Sequence, residues 1–94
     1  MTLVWTIEVS RKALDSLKKL SIPTRKKIFK ELRAIEQLDD PRDRGEALAG
    51  NLIGYWSYRV EEYRIIAEII DKKLIVLVIY IERHRAAFDR HRTN

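Results

Sequence analysis

The chain contains no cysteine. That excludes a disulfide framework and a thiolate metal site, and nothing in the sequence calls for an oxidising compartment. Glycine is scarce, with three residues, and proline occurs twice. No glycine-rich phosphate loop, nucleophile elbow or calcium loop is formed. The two histidines, His84 and His91, lie in the basic tail without a carboxylate cluster beside them, so no zinc-ligand spacing is present. Neither a metal nor a nucleotide cofactor is expected. Apolar runs are all shorter than a membrane span, and the N-terminus lacks the basic-then-apolar pattern of a signal peptide, so the expected location is cytoplasmic and no membrane partner is expected.

What the chain does have is charge. It carries 19 Lys and Arg against 14 Asp and Glu in 94 residues, a formal net charge of +5. A chain of this length supports one modest core, which predicts a single domain over residues 1–94. The positive balance suits an anionic partner such as nucleic acid or an acidic protein segment.

The first elements follow from periodicity. Leu3, Trp5 and Ile7 alternate with Val4, Thr6 and Glu8 as in a strand. Ser10 is placed to cap a helix whose apolar positions are Ala13, Leu14, Leu17 and Leu20. Pro23 cannot continue that helix but suits the first turn of another, with Ile28, Leu32, Ile35 and Leu38 as its stripe and Phe29 beside them. The two should form an αα-hairpin over one face of a sheet. Its second helix also carries Arg25, Lys26, Lys27, Lys30 and Arg33, which reads as a solvated basic face, with contact to a phosphate backbone as the alternative. Between Asp39 and Gly54 the periodicity dissolves into a loop with one helical turn expected near Ala47.

Three runs rich in β-branched and aromatic residues follow, Tyr55 to Val60, Tyr63 to Ile70 and Lys73 to Ile81. Their separators, Glu61-Glu62 and Asp71-Lys72, predict two hairpins and an antiparallel three-strand meander. Counting across two-residue loops sets Arg59 opposite Arg64 and Arg64 opposite Ile79. Alternation then places Arg59, Arg64, Ile79, Ile81 and Arg83 on one face, and Tyr58, Ile65, Ala67, Ile69, Leu74, Val76, Val78 and Tyr80 on the other. Two directly opposed arginines repel by up to roughly 1 kcal/mol. An anion should therefore lie between them, either Glu61, Glu62 or Glu68 in an exposed ion pair, or a phosphate group.

The chain ends in RHRAAFDRHRTN, its most basic stretch, expected as a short C-terminal helix or tail with Phe88 packed on the sheet. Arginines with one histidine suit one reaction, cleavage of RNA by its own 2′-hydroxyl. The protein then has to orient the strand, stabilise charge on the phosphoryl oxygens and move protons. Arg59, Arg64 and Arg83 are the candidates for charge, and His84 for proton transfer.

The succession ALAG, YWSYRVEEYRII, IIDKKLIVLVI and RHRAAFDR, opened by WTIEVSRKALDSLKKL, resembles the RelE/ParE superfamily of toxins from type II toxin–antitoxin systems. The resemblance spans nearly the whole chain and implies an α+β fold in the order strand, helix, helix, meander, tail. It implies a cognate antitoxin as partner, in a toxin–antitoxin hetero-oligomer. It also implies one of two activities: ribosome-dependent, metal-independent cleavage of mRNA in the RelE branch, favoured here, or poisoning of DNA gyrase in the ParE branch. A family member that binds nucleic acid without cleaving it is the third possibility. By residue match it carries catalytic roles to Arg64, Arg83 and His84, and RNA or phosphate binding to Arg59, Arg85 and Phe88. The chain departs from the family at Ala49 and Ser57, where many members are basic, and at Phe88, where ribonuclease members often have tyrosine. Phe88 keeps the ability to stack on a base but has no hydroxyl to exchange a proton.

Overall fold

The structure is a computed structural model that describes residues 4–83. It is an α+β domain in which two helices cover one face of a five-stranded mixed sheet. The chain runs β1 (Thr6–Val9), α1 (Arg11–Lys18), α2 (Ile22–Glu36), β2 (Glu46–Ala47), β3 (Trp56–Val60), β4 (Tyr63–Ile70) and β5 (Ile75–Arg83). Three 3₁₀ turns lie at Pro41–Arg44, Gly50–Leu52 and Asp71–Lys73. The spatial order is β1-β5-β4-β3-β2, with β1 parallel to β5 and the remaining pairs antiparallel.

Both helices start where local chemistry dictates. The Ser10 side chain accepts from the Ala13 N–H at 3.1 Å, and the Ser21 side chain accepts from Thr24 N–H at 3.4 Å, each satisfying an amide with no intrahelical acceptor. Pro23 follows in the first turn of α2, where its missing N–H costs nothing. Ala13 and Leu17 of α1, with Ile28, Leu32 and Ile35 of α2, bury themselves on Tyr58, Ile65, Ala67, Val76, Val78 and Ile81. Leu14 was expected in that stripe but remains 45% exposed. Leu14 lies one residue round from Ala13, at the edge of the stripe that Ala13 and Leu17 centre on the sheet, where solvent reaches it.

The region near Ala47 is a strand, not the helical turn expected from its composition. Glu46 and Ala47 pair with Ser57 and Trp56 at the sheet edge. The approach to that edge depends on Gly45, since a Cβ there would come within 3.0 Å of the Tyr58 ring. Tyr58 is wholly buried and its hydroxyl donates to the Pro41 carbonyl at 2.8 Å. Arg44 grips Glu31 of α2 through Nε at 2.9 Å and Nη2 at 2.7 Å, which ties the same loop to the helical layer.

The β3–β4 hairpin has the register counted from its two-residue loop, with Arg59 opposite Arg64 and Val60 opposite Tyr63. Glu61 supplies the positive φ that so tight a turn demands, at 53°. The β4–β5 register differs from the count. Asp71–Lys73 form a 3₁₀ turn closed by Leu74 in the left-handed region, so Ile70 pairs with Ile75 across four residues rather than two. A further irregularity leaves Ile79 unpaired between the pairs Ala67–Val78 and Ile66–Tyr80. The longer loop alone shifts pairing by an even number and preserves the faces; the single-residue bulge inverts them. Beyond it, Ile81 joins the core, whereas Tyr80 and Glu82 fall on the opposite face.

Candidate functional site

That opposite face carries a row across three strands: Arg59 pairs with Arg64, and Arg64 pairs with Glu82. The anion demanded by the two arginines is therefore Glu82, not Glu61, Glu62 or Glu68. Arg64 donates through Nε to Glu82 Oε2 at 3.0 Å, and through Nη2 to the same oxygen. Glu61 is engaged by Lys27 of α2 at 2.5 Å and Glu62 by Arg83. Glu68 stands opposite Leu77, away from the row.

Arg59 is the cation left over. Its Nε donates to the Glu61 carbonyl at 3.3 Å, and it makes no ion pair with a carboxylate among the described residues. Together with Arg64 it lines an open pocket of about 240 Å³, completed by Glu46, Ala47, Leu48 and Ser57. Glu46 reaches this pocket because β2 is there to carry it; the sequence reading, which placed a helical turn in that segment, had no reason to select it. Ser57 is buried in the pocket wall, a small hydroxyl where a longer cation would fill the space.

Arg83 does not share this site. By pairing it stands opposite Tyr63, on the face of Ile81 and Ile65, and its guanidinium is held by Glu62. The expectation that Arg64 and Arg83 share a face assumed unbroken alternation along the last strand, and the bulge at Ile79 breaks it. His84, Arg85 and Phe88 lie outside the described residues.

Next to the cationic pocket, on the same face, Leu52, Tyr55, Ile66, Ile79 and Tyr80 line a smaller one of about 120 Å³. Burial, and after it the Glu82 charge, hold the Tyr80 hydroxyl above its ordinary pKa, so it keeps its proton at neutral pH. The Lys12 ammonium sits 5.0 Å from the centre of the Tyr80 ring. Among the described residues no group of three or more His, Asp or Glu side chains is placed to hold a metal ion, and no helix is long and apolar enough to cross a membrane.

A strand of phosphodiesters fits such a surface chemically: guanidiniums for a phosphate, a carboxylate to accept a proton, and an aromatic-walled recess alongside. Comparison with known proteins places the chain in a family. The toxin–antitoxin complex RelBE2 from Mycobacterium tuberculosis contains a chain 25% identical to this one, aligned over 92% of this chain and 97% of that chain with a TM-score of 0.68. The isolated RelE toxin of E. coli shares the fold at 19% identity, over 95% and 96% of the two chains, with a TM-score of 0.69. A YoeB/ParE toxin from Agrobacterium tumefaciens does so at 21% identity, over 85% and 99%, also with a TM-score of 0.69. A comparison with curated proteins found no match. Residues 7–88 match the model of the ParE toxin of type II toxin–antitoxin systems, and the chain belongs to that family, within the RelE/ParE superfamily of toxins.

Proposed function

We propose that this toxin inhibits translation by cutting messenger RNA on the ribosome, through attack of the RNA's own 2′-hydroxyl. The observation that carries this reading is the pocket in which Arg59, Arg64 and Glu46 converge, with Arg59 in no ion pair among the described residues.

In this mechanism the 2′-oxygen bonds to the adjacent phosphorus as its proton passes to the Glu46 carboxylate. The bond from phosphorus to the 5′-oxygen breaks, leaving a 2′,3′-cyclic phosphate, and the 5′-oxygen takes up a proton. Arg59 and Arg64 oppose the negative charge that accumulates on the phosphoryl oxygens. His84 is the residue that the sequence offers for the proton to the leaving oxygen. Phe88 and Arg85 contribute stacking and backbone contact in the same scheme. No step requires a metal or an organic cofactor.

The partner proposed for the resting state is a cognate antitoxin. Structural neighbours from Mycobacterium tuberculosis and E. coli are toxin–antitoxin complexes, and a RelE–RelB complex from Pyrococcus horikoshii has the same fold. The site of action is cytoplasmic, where ribosomes and mRNA are found.

Mapping mRNA ends on translating ribosomes after induction tests the reading. New ends should accumulate with the natural chain and fall sharply with Arg59→Ala or Arg64→Ala. One observation favours a second reading: Arg64 is already neutralised by Glu82, as a surface that binds protein rather than phosphate would tolerate. A gyrase inhibitor would arrest growth undiminished by either arginine substitution and would leave mRNA intact.

A further inference from the structure

Arg64 and Glu82 stand directly opposite each other on neighbouring strands, 27% and 35% exposed respectively. Both donors of the contact end on Oε2, which commits one edge of the guanidinium and leaves Nη1 without a hydrogen bond among the described residues. Arg64 lines the cationic pocket, whereas Glu82 is not part of its lining. The carboxylate therefore holds the arginine from outside the space that a phosphate would enter.

We propose that Glu82 is an exchangeable internal anion, which neutralises Arg64 while the pocket is empty and yields that arginine to an incoming RNA phosphate. This inference rests on the RNA reading above and names a residue that sets its affinity. The charge balance explains the arrangement. Arg59 and Arg64 face each other and need one anion between or beside them. Glu82 supplies it in the free protein, and a phosphodiester replaces it in the complex.

Exchange is feasible because both members of the pair keep part of their surface in water. A partly exposed ion pair gains little over its hydrated partners, so Glu82 returns to water at small cost. A carboxylate beside the pocket still repels a phosphate that has not yet displaced it. Free RNA is thereby held weakly. A strand presented by a larger assembly, at high effective concentration, overcomes the competition. Glu82 in this way biases the toxin toward RNA already positioned by a partner.

The test uses the full chain and a single-stranded 2′-O-methyl RNA decamer, which cannot be cleaved, with binding followed by fluorescence anisotropy across a salt series. Glu82→Gln removes the charge and keeps the shape. It should bind about fivefold more tightly than the natural chain, and its log–log salt dependence should steepen by up to about 0.7, because the carboxylate that the natural chain frees on binding takes up a cation and offsets the release from one phosphate contact on a single strand. The steeper slope should vanish when Arg64→Ala is present as well, since no exchange is then possible. Glu82→Ala should reproduce the steeper slope, with thermal unfolding of each variant confirming the fold.

An unchanged slope in Glu82→Gln, or a steeper slope that persists without Arg64, overturns the exchange while leaving RNA binding intact. Absence of binding by every variant, including the natural chain at low salt, overturns the exchange and the RNA reading together. Tighter binding as expected, with no cut mRNA on ribosomes, supports the exchange and refutes cleavage alone.

Discussion

The Ser10 hydroxyl donates to the Ile79 carbonyl at 2.5 Å while its oxygen accepts from the Ala13 N–H at 3.1 Å. One residue thus caps the first helix and satisfies the residue left unpaired by the bulge, 69 positions away in the chain. The Ser10 N–H donates to the neighbouring Val78 carbonyl at 2.9 Å, so backbone and side chain both bind the distorted stretch of β5. Because that bulge turns Glu82 toward Arg64, a helix cap supports the geometry of the candidate site.

Ser10→Ala should therefore cost more than an ordinary cap. Losing the cap alone removes about 1 kcal/mol, and leaving the Ile79 carbonyl unsatisfied adds about 1 kcal/mol more. Urea unfolding at neutral pH measures the sum. A loss below roughly 0.5 kcal/mol would show that the bulge holds without Ser10.

Gly45 is predicted to be intolerant for a reason of space. In Gly45→Ala the new methyl would lie 3.0 Å from Tyr58 Cε1 and 3.2 Å from Cζ, against a ring that the core does not let move. The strain should cost about 1–3 kcal/mol. Since Gly45 leads directly into β2, amide exchange at Glu46 and Ala47 should quicken more than in α1. Uniform quickening across the domain would indicate general destabilisation and not a displaced edge strand.

Stability should also fall at high pH through Tyr58. Burial pushes its hydroxyl up to about 12, above the ordinary tyrosine value near 10. Between those values the unfolded chain releases the proton and the folded chain keeps it, so the unfolded state binds fewer protons and stability declines as pH rises. The contribution is complete below about pH 10 and is lost toward pH 12, at up to roughly 1.4 kcal/mol per pH unit. In Tyr58→Phe this alkaline slope should flatten, and at neutral pH the variant should be about 1–2 kcal/mol less stable because the buried Pro41 carbonyl loses its donor.

Arg59 and Arg83 are predicted to differ although both are exposed arginines near the same end of the sheet. Arg59 lies in the pocket without a carboxylate partner, and Arg83 lies on the reverse face paired with Glu62. Arg59→Ala should lower mRNA cleavage by about 10²-fold, in line with losing one charge-stabilising donor, with no measurable effect on stability. Arg83→Ala should lower it by less than about tenfold. Equal losses in the two variants, read from the same ribosome-bound mRNA ends, would count against the face assignment.

Much of this molecule was determined by short-range sequence features. The two helix starts follow from Ser10, Ser21 and Pro23, whose hydrogen-bonding and φ preferences act within a single turn. The opposition of Arg59 and Arg64 follows from a two-residue loop, because so short a connection leaves one register. The positive balance and the absence of cysteine are properties of composition alone. Other features required the tertiary structure. The parallel pairing of β1 with β5 and the strand at Glu46–Ala47 are contacts between distant segments with little local signature. The bulge at Ile79 has none that was legible, since Ile-Val-Leu-Val-Ile reads as an unbroken strand whether or not one residue is left out of the ladder. A one-residue offset exchanges the two faces of everything beyond it. That exchange decided which acid meets Arg64, placed Arg83 on the reverse face, and set Glu82 in the row with the two arginines.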